Sequence, residues 1–218
     1  MKVTFIRHGA SEWTGKPVLY GQTDVPLSEL GFDQAQALAG HLGGRKFDAL
    51  WSSHLQRARD TAALIGQSIG HAVVTDKRLS EAYLGTLEGE SFAKLPNGPG
   101  TWRERWQKSP GTTRFPKGEN LKEVADRGWS VLEELYERHP RGHVVIVSHM
   151  FAISTMLCKV LSLKINKFRT FTIDTASITT IQIDDNGFRI LALNDTAHLD
   201  DLPDGAALRT GSLPEKQF

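Results

Sequence analysis

Two short apolar runs in this chain each end in a histidine. Val3-Thr4-Phe5-Ile6 leads into Arg7-His8-Gly9, and Val144-Val145-Ile146-Val147 leads into Ser148-His149. Each run is too short for a helix and reads as a buried strand. As central strands of an α/β sheet they would deliver both histidines to the carboxyl edge, where such sheets place their ligand crevices, and Gly9 is expected to let the backbone turn away sharply. A lone strand-end histidine reads as a structural residue. Two of them, one beside an arginine, point to one shared site. Further along lie Arg57, in the first turns of a helical pattern, and the carboxylates Glu81 and Glu88. These residue types suit phosphoryl transfer, which needs an in-line nucleophile, donors aimed at the equatorial oxygens and a proton for the leaving oxygen. His8 can attack through one ring nitrogen and form a phosphohistidine if the other nitrogen donates to a backbone carbonyl and fixes the tautomer. Flanking cations would help keep it neutral. Arg7 and Arg57 each offer a fork of N–H donors to phosphate, and His149 adds a donor from the facing strand. The acid is Glu81 or Glu88.

The elements that must position these groups follow from the patterning. After Gly9 an irregular stretch, Ala10 to Leu27, is longer than a structural connection needs and is expected to line the pocket. Ser28 reads as the N-cap of a helix with apolar positions Leu30, Ala35, Leu38, Ala39 and Leu42, closed by Gly43-Gly44. Phe47 to Trp51 reads as a strand, and the pattern after Ser52-Ser53 as a helix ending at Gly70, whose N-terminus offers free backbone donors to an anion that Arg57 could help hold. Ala72 to Thr75 is a third strand.

Thr101 to Trp106 places Trp102 and Trp106 one helical turn apart, within a small cap over the pocket. There the tryptophans are expected to pack on the body and Arg103 and Arg105 to face solvent. A long amphipathic helix opens at Gly118-Glu119-Asn120 and leads to the His149 strand, with another helix from Met150. From Ser177 the pattern becomes a hairpin around Asn186-Gly187. The alternation predicts an α/β fold: a three-layer α/β/α sandwich with a mostly parallel sheet and an antiparallel edge hairpin. Residues 1–200 read as a single domain with a cap insertion at 84–117, and 201–218 as an irregular tail.

Composition narrows the function classes. At 218 residues the chain can bury a sizeable core, and a formal net charge of +1 argues against nucleic-acid or anionic-membrane partners. Cys158, the one cysteine, excludes an internal disulfide framework and a thiolate zinc cluster. No apolar stretch approaches a membrane span and the amino terminus enters its strand too early for a signal peptide, so a cytoplasmic protein is expected. Neither histidine has a His-x-x-x-His spacing or paired carboxylates beside it, which disfavours a metal hydrolase.

The motifs also carry a resemblance. Arg7 to Thr14, Gly21 to Ser28, Ser53 to Ala62, Leu79-Ser80-Glu81 with Gly85 and Glu88-Gly89, and Val147-Ser148-His149 occur in the order seen in the histidine phosphatase superfamily, also called phosphoglycerate mutase-like. The resemblance implies that His8 is the phosphorylated nucleophile, that Arg7, Arg57 and His149 bind the transferring group, and that Glu81, rather than Glu88, is the proton donor. It also implies substrate contacts from Ser11, Thr14, Gly21, Gln22 and Met150, a small phosphorylated metabolite as substrate, and no cofactor or metal. Two positions depart from the pattern: Thr14 stands where the family often has Asn and offers one donor rather than two, and Met150 stands where a small residue is usual.

The resulting expectation is a metal-independent phosphomonoester hydrolase. Its closest rival is a cofactor-dependent phosphoglycerate mutase; a non-catalytic phosphate-binding scaffold would lack one of these residues, and none is missing. Against the mutase, the cap is short and Glu88-Gly89 resembles the phosphatase members. A mutase also needs extra cations for a second phosphate, and the cap offers only Lys94, Arg103, Arg105, Lys108, Arg114 and Lys117.

Overall fold

A computed structural model describes residues 1–185 and 187–202. In chain order the elements are β1 (Lys2–Arg7), α1 (Glu29–Leu42), β2 (Ala49–Ser52), α2 (Gln56–Ile69), β3 (Val73–Thr75), α3 (Trp102–Lys108), α4 (Leu121–Arg138), β4 (His143–Ser148), α5 (Met150–Val160), β5 (Ile178–Asp184) and β6 (Gly187–Asp195). The six strands form one sheet in the order β3-β2-β4-β1-β5-β6. The first four are mutually parallel, while β5 runs antiparallel to β1 and β6 antiparallel to β5. Helices cover both faces, and the strand pleat shows why: Val145 and Val147 of β4 join Leu38, Leu42 and Ile65 of α1 and α2, whereas Val144 and Ile146 join Leu135 and Leu157 of α4 and α5. Strands buried on both faces read as continuous apolar runs. The fold is the expected three-layer sandwich.

Local signals set the helix ends. The Ser28 hydroxyl accepts from Gly31 N, Gly70 ends α2 in a left-handed conformation, and Asn120 with Glu123 forms a capping box at the start of α4. Three expectations need adjustment. β2 begins two residues later than Phe47, whose ring packs with the α1/α2 core. In the hairpin Asp184 pairs with Gly187, so the turn sits one residue earlier than Asn186-Gly187; Asn186 itself lies outside the described residues. Of the expected tail, residues 203–218 also lie outside them, while Leu199 just before is buried in the core.

The third adjustment concerns Gly9, whose backbone stays out of the left-handed region. Its reason is contact rather than turning: a Cβ there would lie 2.4 Å from Gly31 O, and one on Gly31 would lie 1.9 Å from Ala10 O. The chain leaving β1 is thus pressed against the first turn of α1, where Gln34 Oε1 accepts from Ala10 N and Thr61 Oγ1 from Gly9 N.

This contact separates two glycines of one helix. Gly31→Ala must push backbone apart and is expected to destabilise by about 1–3 kcal/mol. Gly40→Ala, at an exposed position with nothing near the added methyl, is expected to stabilise by about 0.5–1 kcal/mol. Urea unfolding of both variants checks this; a neutral Gly31→Ala would contradict the packing argument.

Candidate active site

The site is a consequence of strand register. β1 pairs with β4 so that Arg7 lies opposite Ser148, and His8 N then donates to Ser148 O at 3.0 Å. The two following residues, His8 and His149, leave the sheet side by side with ring centroids 4.9 Å apart. Both rings are buried, His149 completely.

His8 is fixed at both nitrogens. Nδ1 lies 2.7 Å from Gly9 O, and Arg57 Nε approaches Nε2 at 3.2 Å. A guanidinium can only donate, so Nε2 carries the lone pair and Nδ1 the proton. That is the tautomer a nucleophilic Nε2 requires. Burial, then the charges of Arg57 and Arg7, holds the His8 pKa well below the ordinary imidazole value, and burial and Arg57 do the same to His149.

Arg57 is 1% exposed, in contrast to its exposed neighbour Arg59. Its Nη1 donates to Thr23 O at 3.0 Å and Nη2 to Gly21 O at 2.8 Å. The expected free donors at the α2 N-terminus are partly taken, because Gln56 N donates to Asp24 Oδ1 at 2.6 Å. Arg57 therefore reaches the site directly rather than by sharing an anion with that helix end. Arg7 Nη1 donates to Ile173 O at 2.6 Å, while its buried Nε and both ring nitrogens of His149 have no partner. Buried polar atoms without partners are costly; Arg7 lines the space in front of His8 and keeps donor capacity for an oxyanion there, while His149 adjoins the His8 ring without itself lining that space.

Glu81 faces the same space. Its carboxylate accepts from Ala82 N and, at 3.1 Å, from Phe151 N in the first turn of α5. Burial nevertheless dominates these bonds and the attraction of Arg57 and Arg7, and its pKa is raised above the ordinary glutamate value. Glu88 is built differently: it accepts from Gln22 N, Thr23 Oγ1 and Leu84 N, tying the loop after Tyr20 to the segment after Glu81. A carboxylate so occupied is a clamp.

A cavity of about 340 Å³ opens above these groups and is lined by Arg7, His8, Arg57 and Glu81 together with residues 13–20 and parts of the cap. The loop 10–27 lines it as expected, and Thr14 and Met150 are in its wall. Ser11, Gly21 and Gln22 are not. Ser11 is buried behind Thr14, joined to it and to Tyr20 OH by hydroxyl contacts of 3.1 and 3.2 Å. Gly21 presents its carbonyl to Arg57, and Gln22 Nε2 donates to Glu81 O at 2.9 Å. These residues position the site instead of lining it. In the cap, Trp106 is buried, but Trp102 reaches the cavity wall and Arg103 lies over the Phe92 ring at 4.3 Å rather than in solvent.

Sequence reasoning missed three contributors. Tyr20 lines the cavity with its ring 5.5 Å from the Arg57 guanidinium. Arg127 of α4 donates to Arg78 O, Ser80 O and Glu81 O and pairs with Glu119, locking the Glu81 segment. Ala176, at φ 57°, donates its N–H to His8 O, and Ser177 O accepts from Arg7 N. Among these, only the aromatic in an irregular loop carried a signal in the sequence.

The chain matches the profile of the histidine phosphatase superfamily (branch 1) over residues 3–196. It is 34% identical over 203 residues to phosphoserine phosphatase 1 of Hydrogenobacter thermophilus, covering 91% of this chain and 94% of that one. Identity to the probable phosphoglycerate mutase GpmB of Yersinia pestis is 29% over 205 residues, covering 92% and 95%. The crystal structure of a phosphoserine phosphatase mutant from Entamoeba histolytica in complex with phosphoserine superposes with a TM-score of 0.82 at 26% identity, covering 91% of this chain and 98% of that one.

The electrostatics give a direct test. An unperturbed imidazole is about three-quarters protonated at pH 6. His8 and His149 are expected to remain neutral there by NMR of ¹³C-labelled histidine rings; protonation of either near its ordinary pKa would contradict the site described. The sign for stability follows, since groups whose folded pKa is depressed bind fewer protons when folded. Their contribution is present above about pH 6.5 and is lost as pH falls toward their folded values. Glu81, shifted upward, acts oppositely and costs stability as pH rises through its folded value.

Proposed function

The chain belongs to the histidine phosphatase superfamily, and from that premise we propose that it hydrolyses the phosphomonoester of a small metabolite, without a metal ion, through a phosphohistidine on His8. The observation that carries this reading is the His8 ring, with Nδ1 held on Gly9 O and Nε2 facing Arg57 at 3.2 Å. In the first step the Nε2 lone pair attacks phosphorus and the ester P–O bond breaks. The leaving oxygen takes the proton of Glu81, which burial keeps available. In the second step the Glu81 carboxylate accepts a proton from water, the water oxygen attacks phosphorus, the N–P bond breaks and phosphate departs. Arg7, Arg57 and His149 stabilise the charge on the equatorial oxygens throughout, the task a metal ion performs in other phosphoryl-transfer sites.

A mutase reading is weaker on a structural ground. Arg105 donates to Gly100 O, and Arg114 to Gly118 O and the Glu123 carboxylate, so these cap cations are turned away from a second phosphate. Small phosphorylated molecules as substrates fit a cavity of about 340 Å³. A cytoplasmic location fits a single cysteine that remains a free thiol, Cys158. Among the described residues, no helix is long and apolar enough to cross a membrane.

Two experiments test the roles. Glu81→Gln is expected to slow hydrolysis of alkyl phosphates by about 10²–10⁴ and of p-nitrophenyl phosphate far less, because nitrophenolate leaves without a proton. Equal losses for both ester types would remove Glu81 as the acid. Activity is also expected to survive chelation, and an acid-labile phosphoenzyme to be trapped in the wild type but not in His8→Ala. Loss on chelation that added metal restores would sink the metal-independent reading.

A further inference from the structure

Beyond its phosphate floor the cavity is mostly apolar, with Thr14, Lys16 and Tyr20 as its other polar side chains among the described residues. Its lining includes Leu84, Phe92, Trp102, Phe115 and Phe151 from the cap and α5, and Val18 from the loop after β1. These rings form a packed unit: Trp102 stacks on buried Trp106 at 5.3 Å between centroids, and Phe115 lies 5.4 Å from Trp102 and 4.6 Å from Trp106. Even the polar edge of Trp102 is turned aside, since its Nε1 donates to Arg114 O.

Charge is distributed to match. Among the described residues, the cations lining the cavity are Arg7 and Arg57 at its floor and Lys16, which is exposed. Arg103, Arg105 and Arg114 of the cap do not line the cavity; their guanidinium groups lie against the Phe92 ring, the Gly100 carbonyl and Glu123. A leaving group carrying a carboxylate would lose water against aromatic rings with Lys16 as the one cation outside the floor among the described residues and the Thr14 and Tyr20 hydroxyls, which already bond each other, as neutral donors, an unfavourable exchange. An apolar or aromatic alcohol loses nothing polar there and gains by burial. A dry cavity of about 150 Å³ holds a benzene, so one of about 340 Å³ takes a phosphoryl group and an aromatic ring together.

Resting on the phosphomonoesterase reading, we propose that the preferred substrates are phosphate esters of alcohols bearing an aromatic or bulky apolar body, and not the carboxylate-bearing phosphoserine or phosphoglycerates.

The test compares kcat/KM of the wild-type enzyme for 3-phenylpropyl phosphate, O-phosphoserine and 3-phosphoglycerate, with p-nitrophenyl phosphate as the reporter of basal hydrolysis. The phenylpropyl ester is expected to exceed both carboxylated esters at least tenfold. Trp102→Ala is expected to shrink that ratio at least fivefold, and Trp102→Phe to restore most of it. Equal or greater kcat/KM for phosphoserine or 3-phosphoglycerate, with p-nitrophenyl phosphate hydrolysed, overturns this proposal and leaves the hydrolase reading standing. No hydrolysis of any of the four overturns both. The wild-type ratio decides the matter even where a Trp102 variant does not fold.

Discussion

Two guanidinium groups are held dry at the end of a sheet, and much of the site's construction answers that constraint. A buried cation usually recruits a carboxylate. Here Arg7 and Arg57 form no ion pair among the described residues and are met instead by the carbonyls of Ile173, Gly21 and Thr23. Carbonyl dipoles offset desolvation without cancelling charge, so positive potential remains for an incoming anion. The same potential and the same burial keep the two imidazoles neutral and give His8 its lone pair. Glu81 is close enough to feel both arginines yet buried enough to be biased toward its proton.

Carbonyls can serve this way only if loops far apart in sequence are pinned. The loop carrying Gly21 and Thr23 is fastened by the Glu88 carboxylate, and Gly21 must be glycine because a Cβ would lie 2.1 Å from Ala82 O. The segment carrying Glu81 is fastened by Arg127, whose guanidinium reaches the carbonyls of Arg78, Ser80 and Glu81. The chain before β5 is fastened by Ala176 in a left-handed conformation, a strained state costing of order 1–3 kcal/mol that the bonds of its segment to His8 and Arg7 help maintain. These residues touch no substrate, yet each sets the position of one that faces the cavity.

How much of this was legible in the sequence depended on range. His8 and His149 were readable because an apolar run that stops at a histidine is a local pattern, and the helix ends at Ser28 and Gly70 were readable for the same reason. Arg57 could be named as a candidate, but its segment alone favours a surface arginine like Arg59, and only the docking of the 21–23 loop buries one and leaves the other in solvent. Glu81 and Glu88 were inseparable by residue type, and the resemblance to a family divided them where spacing could not. The split has a visible cause, since one carboxylate sits in a dry space among cations and the other is occupied by three donors. Ser11, Gly21 and Gln22 belong to the right loop but stand one layer behind the cavity, and sequence patterns seldom distinguish touching a ligand from holding what touches it.

The stacked pair Trp102 and Trp106 has an optical consequence. One indole is sealed in the core and the other borders the cavity, with 5.3 Å between their centroids. At that separation their excited states are coupled, so a molecule displacing water from the face of Trp102 alters the emission of a buried chromophore it never touches. The protein therefore carries a native fluorophore in the wall of its site, and occupancy of the cavity can be read from the unlabelled chain, apart from turnover.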